Sequence, residues 1–250
     1  MPSLPRLSGR EVVKRFVVLA VLSMFASISV WAQPKPTAAA PAAAAPNPAY
    51  AQVPDVPGLP RVLILGDSIS IGYTLLVRKQ LEGRANVHRP AENCAETANG
   101  VKNLDKWLGA GKWDVIHFNF GLHDMKYLDA QGTYVTPDKG KQVALLPEYE
   151  KNLRSIVTRL KQTGAKLIFA TTTPVPSKSQ GRVENDEVRY NEVAARVMKE
   201  SGVAIDDLHA LAKRRQAEIQ QPHNVHFTDP GYAALADAVV ASLAPALPTR

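Results

Sequence analysis

The chain has a single cysteine, Cys94, so no internal disulfide can form and the fold must rest on its core alone. No apolar run reaches the ~20 residues that span a bilayer; the longest, Phe16 to Trp31, covers roughly 16. No cysteine closes that run, which excludes a lipid-anchored lipoprotein. A concentrated basic block is also missing. The formal charge is +7, but much of the excess sits in Arg6, Arg10, Lys14 and Arg15, opposed only by Glu11. Lys213-Arg214-Arg215 reads as a solvated helix face, so no nucleic-acid partner is expected. A Gly-x-Ser-x-Gly elbow is absent, because position 70 is Ser, and this argues against an ordinary α/β-hydrolase. His223 and His226 form an H-x-x-H pair, but no further Cys or carboxylate completes a zinc set, so neither a metal nor a cofactor is expected. There is no internal repeat.

The segments that are present divide the chain in three. A basic start, a short apolar core and Val30-Trp31-Ala32 before Gln33 make the pattern of a signal peptide over residues 1–32. An uncleaved anchor is the alternative reading. The chain is therefore expected to be exported, periplasmic or secreted, with no stable membrane insertion after cleavage. Residues 33–60, rich in Pro and Ala and nearly uncharged, read as a semi-extended tether that cannot bury enough surface to offset its ordering entropy. Residues 61–250 are enough for one domain with a sizeable core.

From Arg61 onward short apolar runs alternate with amphipathic stretches. Residues 61–66, 114–120 and 165–172 read as strong strands, 85–89 and 203–205 as weaker ones. Helices are expected over 70–81, 101–108, 147–163, 183–201, 208–219 and 231–243, the third with Pro147 in its first turn. Such alternation predicts an α/β fold with a mostly parallel sheet and helices on both faces. Ligands of these folds bind at the carboxyl ends of the strands, so the residues just after each strand matter most.

Three such places carry chemistry. After the first strand comes Gly66-Asp67-Ser68-Ile69-Ser70. A serine where a strand turns into a helix is exposed beside amides that favour negative charge, which suits a nucleophile and an oxyanion donor. It equally suits a plain N-cap. After the second strong strand comes Gly121-Leu122-His123-Asp124. Near the end comes Asn224-Val225-His226-Phe227-Thr228-Asp229, before a helix that Thr228 or Asp229 can cap.

Together these blocks resemble the SGNH (GDSL-like) hydrolase family. Gly66, Asp67 and Ser68 match its Gly-Asp-Ser block. Gly121, His123 and Asp124 match its Gly-x-Asn-Asp block, with His in place of Asn, and His226 matches the histidine of its Asp-x-x-His block. The resemblance implies a flavodoxin-like three-layer α/β/α sandwich with a five-stranded, mostly parallel sheet. It also implies metal-free ester hydrolysis, with Ser68 as nucleophile and His226 as base. The oxyanion donors it implies are the N–H groups of Ser68 and Ala95 and the side chain of His123. Ala95 aligns with the family's glycine, Gly100 being the alternative, and a neutral imidazole can still donate one hydrogen bond. The family's orienting aspartate is replaced by His223, which supplies no fixed negative charge. Either a Ser–His dyad works with a backbone carbonyl, or Asp124 or Asp229 substitutes. Cys94 reads as a small buried residue.

The expected activity is hydrolysis of small carboxylic esters through an acyl-enzyme, acetyl esters of carbohydrates among them. A weak or inactive carbohydrate- or partner-binding module and a sugar O-acyltransferase are the alternatives. Residues 125–146, long for a loop, and 171–176 are expected to shape the pocket.

Overall fold

The computed structural model describes residues 47–248. The leader and the first part of the tether lie outside the described residues. Within them no helix is long and apolar enough to cross a membrane.

The elements run β1 (Arg61–Leu65), α1 (Ser68–Gln80), β2 (Asn86–His88), α2 (Thr97–Leu108), β3 (Val115–Phe118), β4 (Tyr127–Leu128), β5 (Lys141–Gln142), α3 (Leu146–Lys161), β6 (Lys166–Ala170), α4 (Glu187–Ser201), β7 (Ala204–Asp206), α5 (Leu208–Arg214), α6 (Gln216–Ile219) and α7 (Asp229–Leu243). Five strands form one sheet in the order β2-β1-β3-β6-β7, and every pairing in it is parallel. Helices α2, α3 and α4 pack side by side, while α1, α5 and α6 pack on α7. The result is the expected three-layer sandwich. All four residues of β3 and the last four of β1 are buried. Helices on both faces leave such strands no polar side, which is why their sequences read as continuous apolar runs.

The strand order reverses direction between β1 and β3. The chain leaves β1 outward to β2, then returns across β1 to β3 and continues to the other edge. A crevice opens at the carboxyl ends of the two strands at such a reversal. Ser68 follows β1 and the Gly121 block follows β3, so the topology brings both to one crevice. Helix α7 is drawn close to α1 at Gly72, where a Cβ would lie 2.1 Å from a ring carbon of Tyr232. A side chain there would push α7, and the His226 loop that leads into it, away from Ser68.

Three expectations are corrected. Residues 47–60 are not a free tether. Ala49 is 1% exposed, Asn86 on β2 exchanges hydrogen bonds with the Val56 N–H and carbonyl, and Asp55 meets Arg61 and His88. Their Pro-rich composition hides this docking because the partners lie far along the chain. Helix 208–219 is broken at Arg215 into α5 and α6. The 125–146 segment carries a small antiparallel hairpin, β4–β5, tied down by Tyr127 N–H on the Gly181 carbonyl and by Gln142 on Asp186.

Candidate active site

Ser68 is the first residue of α1, and the cap before it is Asp67, whose Oδ1 accepts the Ile69 N–H at 2.9 Å. The N-cap reading of Ser68 is therefore answered by its neighbour. Its hydroxyl lies 2.8 Å from Nε2 of His226. Its own N–H belongs to the helix's first turn, where no intrahelical acceptor exists.

Behind His226 stands neither of the two expected carboxylates. Nδ1 of His226 meets Oδ1 of Asn224 at 2.8 Å, and the same oxygen accepts the His226 backbone N–H at 3.1 Å. Asp124 is fully buried elsewhere: its Oδ1 accepts the Thr97 N–H and hydroxyl at 2.9 and 2.5 Å and so caps α2. Burial pushes its carboxyl up to about 7, against the lowering pull of those two bonds. Asp229 is exposed in the first turn of α7, whose cap is Thr228. His223, at the position where the family has its aspartate, is exposed and donates Nδ1–H to the Ser177 carbonyl at 2.9 Å.

An amide can replace a carboxylate here only if its oxygen faces the imidazole. Were its NH2 to face Nδ1 instead, Nδ1 would be the acceptor and Nε2 would carry the proton, unable to take one from Ser68. Two obligate partners fix the amide. The His226 backbone N–H can only donate, so it needs Oδ1. Asn224 Nδ2 donates to Gln221 Oε1 at 3.1 Å, and Gln221 Nε2 in turn donates to the Phe227 carbonyl at 3.0 Å, which can only accept. The whole relay is neutral and directional: Phe227 carbonyl, Gln221, Asn224, His226, Ser68. The relay sets His226 as the Nδ1–H tautomer, with the Nε2 lone pair on the serine hydroxyl.

The oxyanion side also differs from expectation. Ala95 sits at φ 55°, in the left-handed region its glycine counterpart would enter freely. Its N–H is occupied by Asn93 Oδ1 at 2.9 Å. That bond turns the amide so that Asn93 Nδ2, which has no partner among the described residues, is left to the cavity that Asn93 lines. The Ala95 N–H is thus already occupied, and it is the Asn93 side chain that lines the cavity. His123 accepts a hydrogen bond at Nδ1 from the Lys126 ammonium at 3.1 Å. A lysine ammonium only donates, so a neutral His123 carries its proton on Nε2. Burial, then the Lys126 and Arg182 charges, hold His123 below the usual histidine range, with Asp67 pulling the other way.

A cavity of about 470 Å³ opens over Ser68 and His226, walled by Asn93, Leu122, His123, Tyr134, Arg182 and Val225 among others. Tyr134 comes from the 125–146 segment, as expected. Residues 171–176 do not reach it; Ser179, Gln180 and Arg182, just beyond them, do. Cys94 is buried with its thiol pushed up to about 12 by desolvation, so no thiolate is present at neutral pH.

The match to known proteins follows the same frame. Residues 64–234 match the model of the GDSL-like lipase/acylhydrolase family. The chain belongs to that family. It is accordingly a carboxylic ester hydrolase. No curated protein matches the sequence significantly. Solved structures with the same fold include a lipase/acylhydrolase from Enterococcus faecalis, 20% identical, TM-score 0.61, covering 77% of this chain and 99% of its own. The acetylxylan esterase Axe2 from Geobacillus stearothermophilus is 18% identical with a TM-score of 0.61, over 74% of this chain and 94% of its own. The acetyl xylan esterase AlAXEase is 16% identical with a TM-score of 0.60, over 73% of this chain and 99% of its own.

The environment of His226 has a measurable consequence. Half-burial disfavours its imidazolium, Asp67 favours it, and Arg182 disfavours it, with a net pKa below the ordinary value. If His226 acts as base it stays competent into mildly acidic solution. The acid limb of kcat/KM should have its midpoint below the ~6.5 of a free histidine. A midpoint above that value would contradict this electrostatic account.

Proposed function

We propose that this esterase is exported and cleaves short acyl esters, acetylated carbohydrates among them, through an acyl-enzyme on Ser68. The observation that carries the reading is the 2.8 Å contact between the Ser68 hydroxyl and a His226 Nε2 whose lone pair is aimed by the Asn224–Gln221 relay. His226 takes the Ser68 proton as Oγ attacks the ester carbonyl. The oxyanion forms between the Ser68 N–H, Asn93 Nδ2 and His123 Nε2–H. The intermediate collapses, His226 returns the proton to the leaving alcohol, and a water activated by the same imidazole releases the acid.

The short-acyl preference rests on the wall of the cavity. Leu122, Tyr134 and Val225 are its larger apolar members, and the remainder is mostly polar, which gives a long chain little apolar surface to displace water from. Two of the structural neighbours are acetyl xylan esterases, which makes acetylated sugars the first substrates to try. Export rests on the pattern of residues 1–32.

The test is a series of p-nitrophenyl esters with lengthening acyl chains, alongside fluorophosphonate labelling. The expected result is labelling at Ser68 and a kcat/KM that falls steeply beyond about four carbons. A rate that rises toward long chains would make the protein a lipase instead. Product analysis with a free sugar acceptor separates hydrolysis from acyl transfer.

A further inference from the structure

We propose that the preferred ester carries an anionic group, a carboxylate or sulfate, held by Arg182 beside the scissile bond. The inference rests on the esterase reading and adds the charge of its substrate. Twelve residues wall the cavity over Ser68; none is Asp or Glu, and Arg182 is one of them.

The direct contacts of Arg182 are all with neutral groups, though it feels the charge of the buried Asp67. Its Nε donates to the Leu122 carbonyl at 2.8 Å and its Nη1 to the Gln180 carbonyl at 3.3 Å, and its guanidinium carbon lies 5.6 Å from the Tyr134 ring centre. Arg154, Arg159, Arg189 and Arg196, by contrast, each meet a carboxylate. A second cation stands close by. The Lys126 ammonium is also 5.6 Å from the Tyr134 ring centre and bonds His123, and it too has no carboxylate partner among the described residues. The negative groups nearest this cluster do not wall the cavity. Asp67 is 2% exposed, with Oδ1 committed to the Ile69 N–H. Glu96 lies at the start of α2 and is felt at His123.

A half-buried guanidinium that has given up part of its hydration without a carboxylate in direct contact is costly in the empty site. A substrate anion offsets that cost in the complex. Two of the guanidinium's five N–H donors are spent on backbone carbonyls, which fix its plane, and the rest suit the planar or tetrahedral oxygens of a carboxylate or sulfate. Lys126, held against His123 and Tyr134 behind the cavity wall, adds longer-range attraction. The anion can belong to the acyl part or to the alcohol part, and the two sources need separate probes.

The experiment compares matched esters at low ionic strength. For the acyl side the pair is p-nitrophenyl acetate and mono-p-nitrophenyl succinate. For the alcohol side it is an acetylated methyl glucoside and the acetylated methyl glucuronoside. On one side the anionic member should be favoured in kcat/KM by about 10- to 100-fold, the range of charge-assisted hydrogen bonds. Added salt should reduce that factor, Arg182→Gln should bring it near unity, and Arg182→Lys should retain part of it. Equal or better turnover of both neutral members, with a ratio that Arg182→Gln leaves unmoved, overturns the proposal while leaving the esterase intact. Calorimetry on Ser68→Ala with the same acetylated sugars gives a reading independent of turnover. Tighter binding of the glucuronoside, or of succinate over butanol, lost in Ser68→Ala/Arg182→Gln, supports the anion site even if no ester is cleaved. Indifference to charge in both assays sinks it.

Discussion

Alanine in place of Ser68 removes ester hydrolysis, with kcat for p-nitrophenyl acetate falling by roughly 10³–10⁶, the range seen when a serine nucleophile is lost. The variant should fold as the parent does. The cap of α1 is Asp67, not Ser68, and the hydrogen bond of the Ser68 hydroxyl is to His226 alone. An unchanged thermal unfolding midpoint together with lost fluorophosphonate labelling is the expected pair of results. Retained activity in the folded variant would move the chemistry to another residue, and among the described residues no other hydroxyl is hydrogen-bonded to His226.

The second large effect concerns the relay. Asn224→Ala leaves the His226 Nδ1–H and backbone N–H without their shared acceptor, frees the ring to turn, and should lower kcat by roughly 10²–10³. Gln221→Leu should cost less, because the His226 backbone N–H still holds the Asn224 oxygen in place. Asn224→Asp tests charge separately from orientation. A carboxylate at that position stabilises the imidazolium, so the His226 pKa rises and the acid limb of kcat/KM moves to higher pH, the reverse of the depression set by burial in the parent. Intact rates in Asn224→Ala would mean that the ring is held by packing alone. A fixed acid limb in Asn224→Asp would mean that the amide oxygen does not face Nδ1.

The fold was readable where the physics is local. β1, β3 and β6 are largely apolar because they are covered on both faces, His117 in β3 being satisfied by Asp206, and Gly66 and Gly121 mark the ends of the first two. Helix α2 begins at Thr97 rather than near Val101, because the acceptor that holds its first turn is Asp124, 27 residues away. Nothing in Thr97-Ala98-Asn99-Gly100 announces that cap. The hairpin β4–β5 has two residues per strand, too few for alternation to register.

At the site, Ser68 and His226 are brought together as the blocks implied, and His123 joins them at the cavity wall. Asn224 carries no charge to mark it as a triad partner, yet the sequence holds its signal: an amide two residues before the histidine can accept from both its backbone and its ring. Asn93 was hidden for a similar reason. The part proposed for it follows from Ala95, whose positive φ goes with an N–H already bonded to the Asn93 oxygen. Arg182 lies in a segment with no motif, and only the folded chain puts it beside Ser68.

The docking of residues 47–60 bears on the open edge of the sheet. β2 pairs with β1 on one side only, so its other side is the rim of the sheet, a row of backbone groups onto which a foreign strand can add. Asn86 on that rim holds the Val56 and Leu59 carbonyls and the Val56 N–H, while Pro54, Pro57 and Pro60 deny the covering segment the amides that would let it recruit a further strand. The segment acts as a selvedge that keeps the woven edge from joining another. A chain shortened to begin at Arg61 would keep every residue of the serine–histidine relay and lose that cover, leaving the rim open to strand addition.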